Sequence, residues 1–142
     1  MSPRNVLPIL ALAGALAACS SKTPGPGSPT ADGAAAAAEA GKRIYSGYCV
    51  ACHQESGVGV PGVYPSLTGS PVVLGDPAEL TRWVIKGQRP ASMPLGRYPT
   101  KMLPFGWIKP ADAASLFSYL RSNFGNSAAP VDAATVAKAL GP

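Results

Sequence analysis

Residues 41–53 read Gly41-Lys42-Arg43-Ile44-Tyr45-Ser46-Gly47-Tyr48-Cys49-Val50-Ala51-Cys52-His53, and the last five of them dictate what the rest of the chain must be built around. They form a C-x-x-C-H run, and His53 is the only histidine in the sequence. That spacing is the one used for covalent haem attachment: two thiols add across the vinyl groups as thioethers, and the adjacent imidazole meets the iron.

Three other readings of the pentapeptide are a zinc half-site, a thioredoxin-like dithiol and a chance pairing of small core cysteines. A structural zinc site wants four Cys or His ligands, whereas this segment offers Cys49, Cys52 and His53 only. A dithiol motif belongs between a strand and a helix of a βαβ unit, yet the residues before Cys49 read as helix and no alternating strand pattern follows.

The front of the chain points to the cell envelope. Arg4 supplies a positive start, Val6 to Ala18 form a short apolar stretch interrupted by Pro8, and Leu16-Ala17-Ala18-Cys19 has the form of a bacterial lipobox. Residues 1–18 are therefore read as a signal peptide, too short for a good membrane span, and Cys19 as the lipidated first residue of the mature chain. An ordinary secretory signal that leaves Cys19 as a stray thiol is the alternative. Two or more acyl chains, at roughly 0.8 kcal/mol per buried CH₂, hold a protein to a membrane stably. Ser20 behind Cys19 resembles the pattern of bacterial lipoproteins not retained at the inner membrane, so the outer membrane is slightly favoured, on the periplasmic side.

Behind Cys19, residues 19–33 are rich in Pro, Gly, Ser and Thr, with Pro24, Pro26 and Pro29 blocking regular structure, and read as a tether with a reach of roughly 20 Å. Residues 34–127 are expected to form one small domain and residues 128–142 a C-terminal tail. Hydrophobic residues make up 46% of the chain and charged ones 13%, which suits a compact domain wrapped around an apolar cofactor rather than disorder.

Three segments read as helices. The first runs from the alanines at 34–38 to Tyr48 and delivers Cys49 at its end. The second has Asp76 as N-cap, Pro77 at the first position and Glu79 in the first turn, with Leu80, Trp83 and Val84 on one face and Gly87 as its stop. The third starts at Pro110 and presents Leu116, Leu120 and Phe124 before Gly125. Loops dense in Gly and Pro lie between them, nothing alternates as a sheet would, and the class is all-α.

These residues, together with Tyr64-Pro65-Ser66-Leu67-Thr68-Gly69, Met102-Leu103-Pro104-Phe105-Gly106-Trp107 and Tyr119-Leu120-Arg121-Ser122, resemble a class I monohaem bacterial cytochrome c. The similarity is strongest to the small cytochromes that accompany membrane-bound dehydrogenases, and it covers residues 40–126. It implies one covalent haem c held by Cys49 and Cys52, with His53 as an iron ligand. It also implies that Gly41 and Tyr45 cross against Tyr119, that the Pro65 carbonyl accepts a hydrogen bond from the His53 ring, and that Leu67 packs on the haem. A plain turn proline is the other reading of Pro65.

No second histidine exists, so the distal ligand is methionine, lysine or nothing. Met102 matches the family's ligand position, although the usual Met-Pro-x-Phe is here Met102-Leu103-Pro104-Phe105; Met93, followed by Pro94, is the runner-up. A thioether favours ferrous iron and closes the site to O₂, so His/Met ligation implies an electron carrier and not an enzyme. A haem enzyme or small-gas binder with an open distal site is the alternative, and an electron-relay subunit of a dehydrogenase complex is a third reading. The expected partners are a dehydrogenase or quinol-oxidising complex as donor, an oxidase or another cytochrome as acceptor, and the membrane through the anchor, with no nucleic acid. Arg82, Lys86, Arg89, Arg97, Lys101 and Lys109, with no acid between Glu79 and Asp112, suggest a basic rim that steers an acidic partner.

Overall fold

A computed structural model describes residues 31–93 and 96–142, in which six helices and no strand are present. The sequence readings for the signal peptide over 1–18, the lipidated Cys19 and most of the 19–33 tether lie outside the described residues. The all-α expectation holds among the described residues, where the nearest thing to a sheet is one isolated bridge between Val60 and Tyr64.

Helix α1, Ala31–Tyr48, begins three residues earlier than the alanine run suggests, inside the stretch read as tether. Asp32 sits in its first turn, where a carboxylate favours the positive end of the helix dipole. Cys49 interrupts the helix, and one further turn, α2 (Val50–His53), carries Cys52 and His53. A second single turn, α3 (Pro71–Leu74), leads into α4 (Pro77–Lys86). The Asp76 carboxylate accepts from the Ala78 N–H at 2.9 Å, Pro77 occupies the first helical position, and Gly87 ends α4 with φ 67°.

Helix α4 turns the expected face inward: Leu80 and Val84 are buried and Trp83 packs half-buried against the core, with Thr81 and Ile85 buried beside them. Thr81 can sit fully buried because its hydroxyl donates to the Pro77 carbonyl at 2.7 Å, which removes the cost of burying a polar group. Helix α5 (Pro110–Ser122) ends before Phe124. Asn123 leaves the helix in an extended conformation, and Phe124 turns back with φ 59°. Side-chain amides then do what the next helical N–H groups would have done. Asn123 donates to the Tyr119 carbonyl at 2.9 Å, and Asn126 to the Leu120 carbonyl at 2.8 Å.

The crossing of α1 over α5 is the main contact between helices, and it depends on Gly41. A Cβ at that position would stand 2.7 Å from Tyr119 Cβ and closer still to the Ser115 carbonyl oxygen. One turn later Tyr45, 1% exposed, packs its ring 5.6 Å from Tyr119 and 4.9 Å from Phe124. The expected meeting of Gly41 and Tyr45 with Tyr119 is present. Phe124 takes up its left-handed backbone because its ring is enclosed by Tyr45 and Tyr119 and lies over Gly57, where no side chain intervenes.

Residues 128–142, read from the sequence as a tail, contain a sixth helix, α6 (Ala133–Leu140), packed on α4 and α5. Asp132 caps it, accepting from the Thr135 N–H at 2.7 Å, and Val131 and Val136 are buried. Ser118 pins its approach by donating to the Val131 carbonyl and accepting from the Val131 N–H. Arg121, 6% exposed, spends its guanidinium on the carbonyls of Ala129, Val73 and Gly75. It thereby joins α5, the end of α3 and the entry to α6.

Gly41→Ala is expected to cost about 1–3 kcal/mol by overpacking the α1/α5 crossing. Urea unfolding of the haem-loaded protein measures this, and an unchanged midpoint would contradict the packing described.

Candidate cofactor site

The C-x-x-C-H turn is held by hydrogen bonds that reach past it in both directions. The Cys49 N–H donates to the Tyr45 carbonyl at 2.9 Å and the His53 N–H to the Cys49 carbonyl at 2.8 Å, so the turn continues the axis of α1. Gln54 then breaks away with φ 62°. The Tyr45 hydroxyl, from the preceding helix, donates to the Gln54 carbonyl at 2.5 Å. Burial, with Cys49 and Tyr119 adding to it, pushes the Tyr45 hydroxyl well above the usual phenol range, which keeps it a neutral donor.

His53 is buried, and its Nδ1–H donates to the Pro65 carbonyl at 3.0 Å. That bond fixes the tautomer and leaves Nε2 as the bare, electron-pair-bearing nitrogen. Among the described residues Nε2 has no hydrogen-bond partner. Burial lowers the imidazole pKa, opposed by the Pro65 bond, so the ring is held neutral as a metal ligand must be.

The cysteines fit thioether formation better than either thiolate chemistry. Both thiols are free and half-buried. The Cys49 thiol is pushed up to about 11, first by burial and then by Cys52. A dithiol oxidoreductase needs the opposite shift. A zinc site needs converging ligands, and among the described residues no group of three or more His, Cys, Asp or Glu is placed to hold a metal. A neutral thioether carries no charge to desolvate, so this environment suits covalent haem attachment at Cys49 and Cys52.

The loop after the motif brings Pro65 and Leu67 back to the turn. Gly57 accepts from the Leu67 N–H at 2.7 Å, and the Gly59 N–H donates to the His53 carbonyl at 3.0 Å. Leu67 packs half-buried on the core. Three residues that sequence reasoning passed over build this loop. Gly59, at φ 69°, lies so close to the 64–65 backbone that a Cβ would be 2.6 Å from the Pro65 carbonyl oxygen. Gly57 leaves room for the Phe124 ring. Asn126, 7% exposed, donates to the Leu67 carbonyl at 3.1 Å and accepts from the Gly69 N–H at 2.8 Å. The two glycines were visible as a G-x-G just behind the motif, whereas nothing local marks Asn126.

Of the two candidate methionines, Met102 packs half-buried against the core, in the segment whose Phe105 N–H donates to the Val84 carbonyl at 2.9 Å. Met93 is also half-buried, in a turn closed by its N–H on the Pro90 carbonyl, directly before residues 94–95, which are outside the described set.

With this geometry in view, residues 36–120 match the protein family described as cytochrome c oxidase, cbb3-type, subunit III. A relative in Gluconobacter oxydans (strain 621H), the cytochrome c subunit of a quinone alcohol dehydrogenase, is 30% identical over 93 residues, 63% of this chain. The alignment covers 19% of that relative, so the chain corresponds to about a fifth of its length.

Gly59→Ala should push the Pro65 carbonyl off His53 Nδ1, since it adds both a clash and an unfavourable left-handed backbone. We expect a loss of about 2 kcal/mol or more in urea unfolding and a moved His53 ring N–H resonance in the haem-loaded protein. An unmoved resonance would contradict the role given to Gly59.

Proposed function

The chain belongs to the cbb3-type cytochrome c oxidase subunit III family of cytochromes, and we propose that it is a periplasmic, membrane-anchored electron carrier with His/Met axial ligation of its single haem c. The observation that carries this reading is the His53–Pro65 hydrogen bond, which leaves one imidazole nitrogen bare beside two free thiols. Bound haem supplies a one-electron couple at its iron.

Cys49 and Cys52 hold the group covalently, so it stays with a small domain whose own core is modest. His53 Nε2 would hold the iron, its basicity raised by the Pro65 carbonyl. Met102 would supply a second ligand, a soft sulfur that favours the ferrous state and leaves no position for small gases. Leu67 presents apolar surface to the macrocycle. No residue is assigned to proton transfer or substrate activation.

Cys19 anchors the chain through its acyl groups, with the outer membrane favoured. Among the described residues no helix is long and apolar enough to cross a membrane. The relative's name favours a dehydrogenase as electron donor, and a second reading follows from it: a relay subunit that passes electrons inside one dehydrogenase complex. An oxidase or another cytochrome is the acceptor in the first reading.

Carbon monoxide separates a filled distal position from an open one. The native ferrous protein is expected not to bind it rapidly, Met102→Ala is expected to bind it at once, and Met93→Ala is expected to behave as the native protein does. Rapid binding by the native protein would overturn the carrier reading in favour of a gas binder or haem enzyme. Cys19→Ala should release the protein from the membrane fraction, and retention of that variant would contradict the lipid anchor.

A further inference from the structure

The segment that returns to the cofactor turn and runs on through α3, residues 65–75, carries no Asp, Glu, Lys or Arg, so its peptide groups find their side-chain partners elsewhere. Along its length it is tied to itself. The Ser70 N–H donates to the Leu67 carbonyl at 3.3 Å, the Leu74 N–H to the Ser70 carbonyl at 2.9 Å and the Gly75 N–H to the Pro71 carbonyl at 2.9 Å. A displacement at one end of such a piece is felt at the other.

Two buried side chains, from the last turn of α5 and the bend after it, hold this piece at two points. The Asn126 amide donates to the Leu67 carbonyl at 3.1 Å and to the Leu120 carbonyl at 2.8 Å, while its oxygen accepts from the Gly69 N–H at 2.8 Å. Both amide hydrogens and the oxygen are thus engaged. Arg121 donates from Nη1 to the carbonyls of Val73 at 2.7 Å and Gly75 at 2.9 Å, and from Nε to that of Ala129 at 2.7 Å. Among the described residues its partners are these carbonyls and no carboxylate. Burying a guanidinium against carbonyl dipoles carries a desolvation cost that an apolar side chain in the same space would not. What the arginine adds is a rigid, forked hold on the 73–75 backbone.

The other end of the piece is Pro65, whose carbonyl accepts from His53 Nδ1 at 3.0 Å. Two residues on, Leu67 is held by its N–H on the Gly57 carbonyl and by Asn126 on its own carbonyl. Without Asn126 the loop would lose its one side-chain tie to the end of α5. We propose that Asn126, braced by Arg121, is a positioning residue for the iron: it keeps the Pro65 carbonyl in line with His53 Nδ1 and so sets the donor strength of Nε2. This rests on the reading of His53 as an iron ligand.

The sign of the effect follows from the hydrogen bond. A carbonyl that accepts from Nδ1–H raises the electron density of the ring and the basicity of Nε2, which favours ferric over ferrous iron. When that bond slackens the ring donates less, the ferrous state gains, and the potential rises. Neither Asn126→Ala nor Arg121→Lys changes a charge. A shift in potential in either variant therefore reports position and not a changed field.

The test uses the full, haem-loaded protein. In its ferrous form Asn126→Ala should move the His53 Nδ1–H resonance upfield and let that proton exchange with water roughly tenfold faster. In a redox titration the same variant should raise the ferrous-to-ferric ratio at a given ambient potential about threefold, which is about 30 mV at about 59 mV per tenfold for one electron. Arg121→Lys keeps the charge but offers a point donor in place of a fork, and should shift both readouts in the same direction by less. It keeps the test independent of whether the Asn126 variant folds. Val136→Ala is the structural control, because it removes buried volume from α6, which packs on α4 and α5 and not on α3. It should lower the urea midpoint and leave resonance and potential where they are.

An unmoved His53 resonance in Asn126→Ala, or a potential that falls, would overturn the positioning role and leave Asn126 a structural residue. Equal shifts in Val136→Ala would overturn it too, since they would make the effect a consequence of lost stability. A His53→Ala protein that keeps the wild-type potential would instead overturn the reading of His53 as an iron ligand, a separate failure.

Discussion

The hydrogen bond from His53 Nδ1 to the Pro65 carbonyl, 3.0 Å long, is the constraint on which the rest of the site depends. An imidazole has two nitrogens and, when neutral, one proton, so committing Nδ1 to a donor role leaves the lone pair on Nε2, where a metal ligand needs it. Holding that geometry requires the 57–67 loop to return to the turn it left. Gly59 makes the return possible by letting its backbone approach the Pro65 carbonyl, and Asn126, just past α5, fixes it through the Leu67 carbonyl. A ligand on a single helical turn would otherwise be free to swing.

The α1/α5 crossing serves the same end. Gly41 lets the helices close, and Tyr45, one turn on, spends its ring on Tyr119 and Phe124 and its hydroxyl on the carbonyl of Gln54, the residue after His53. Among the described residues the two non-glycine positions with positive φ, Gln54 and Phe124, thus both meet Tyr45. Strain of this kind persists only where surrounding packing over-determines it. Here it sits where the cofactor turn must be held against α5.

How much of this was legible depended on how local the cause was. The Asp76-Pro77 start and Gly87 stop of α4 were readable because a cap is decided by neighbours in sequence. The C-x-x-C-H motif carried its chemistry in five residues. The end of α5 was not readable, because Phe124 leaves the helix to meet Tyr45 and Gly57, partners far away along the chain. Helix α6 carried a cap at Asp132, but its short alanine-rich run has one fully buried position, Val136, and only the α4/α5 surface makes it a helix worth forming. The charge run from Arg82 to Lys109 was readable as a run, but not that Lys86 reaches the Leu140 carbonyl on α6 while Lys109 lies beside α1.

What divides a carrier from an enzyme is therefore the loop around Met102, while the motif itself serves either. X-ray absorption at the iron edge of the purified native protein addresses this most directly. The account predicts one sulfur scatterer bound to iron in both oxidation states, beside nitrogen ligands, and its disappearance in Met102→Ala but not in Met93→Ala. Iron with no sulfur ligand, or a sulfur that survives the loss of Met102, would contradict it.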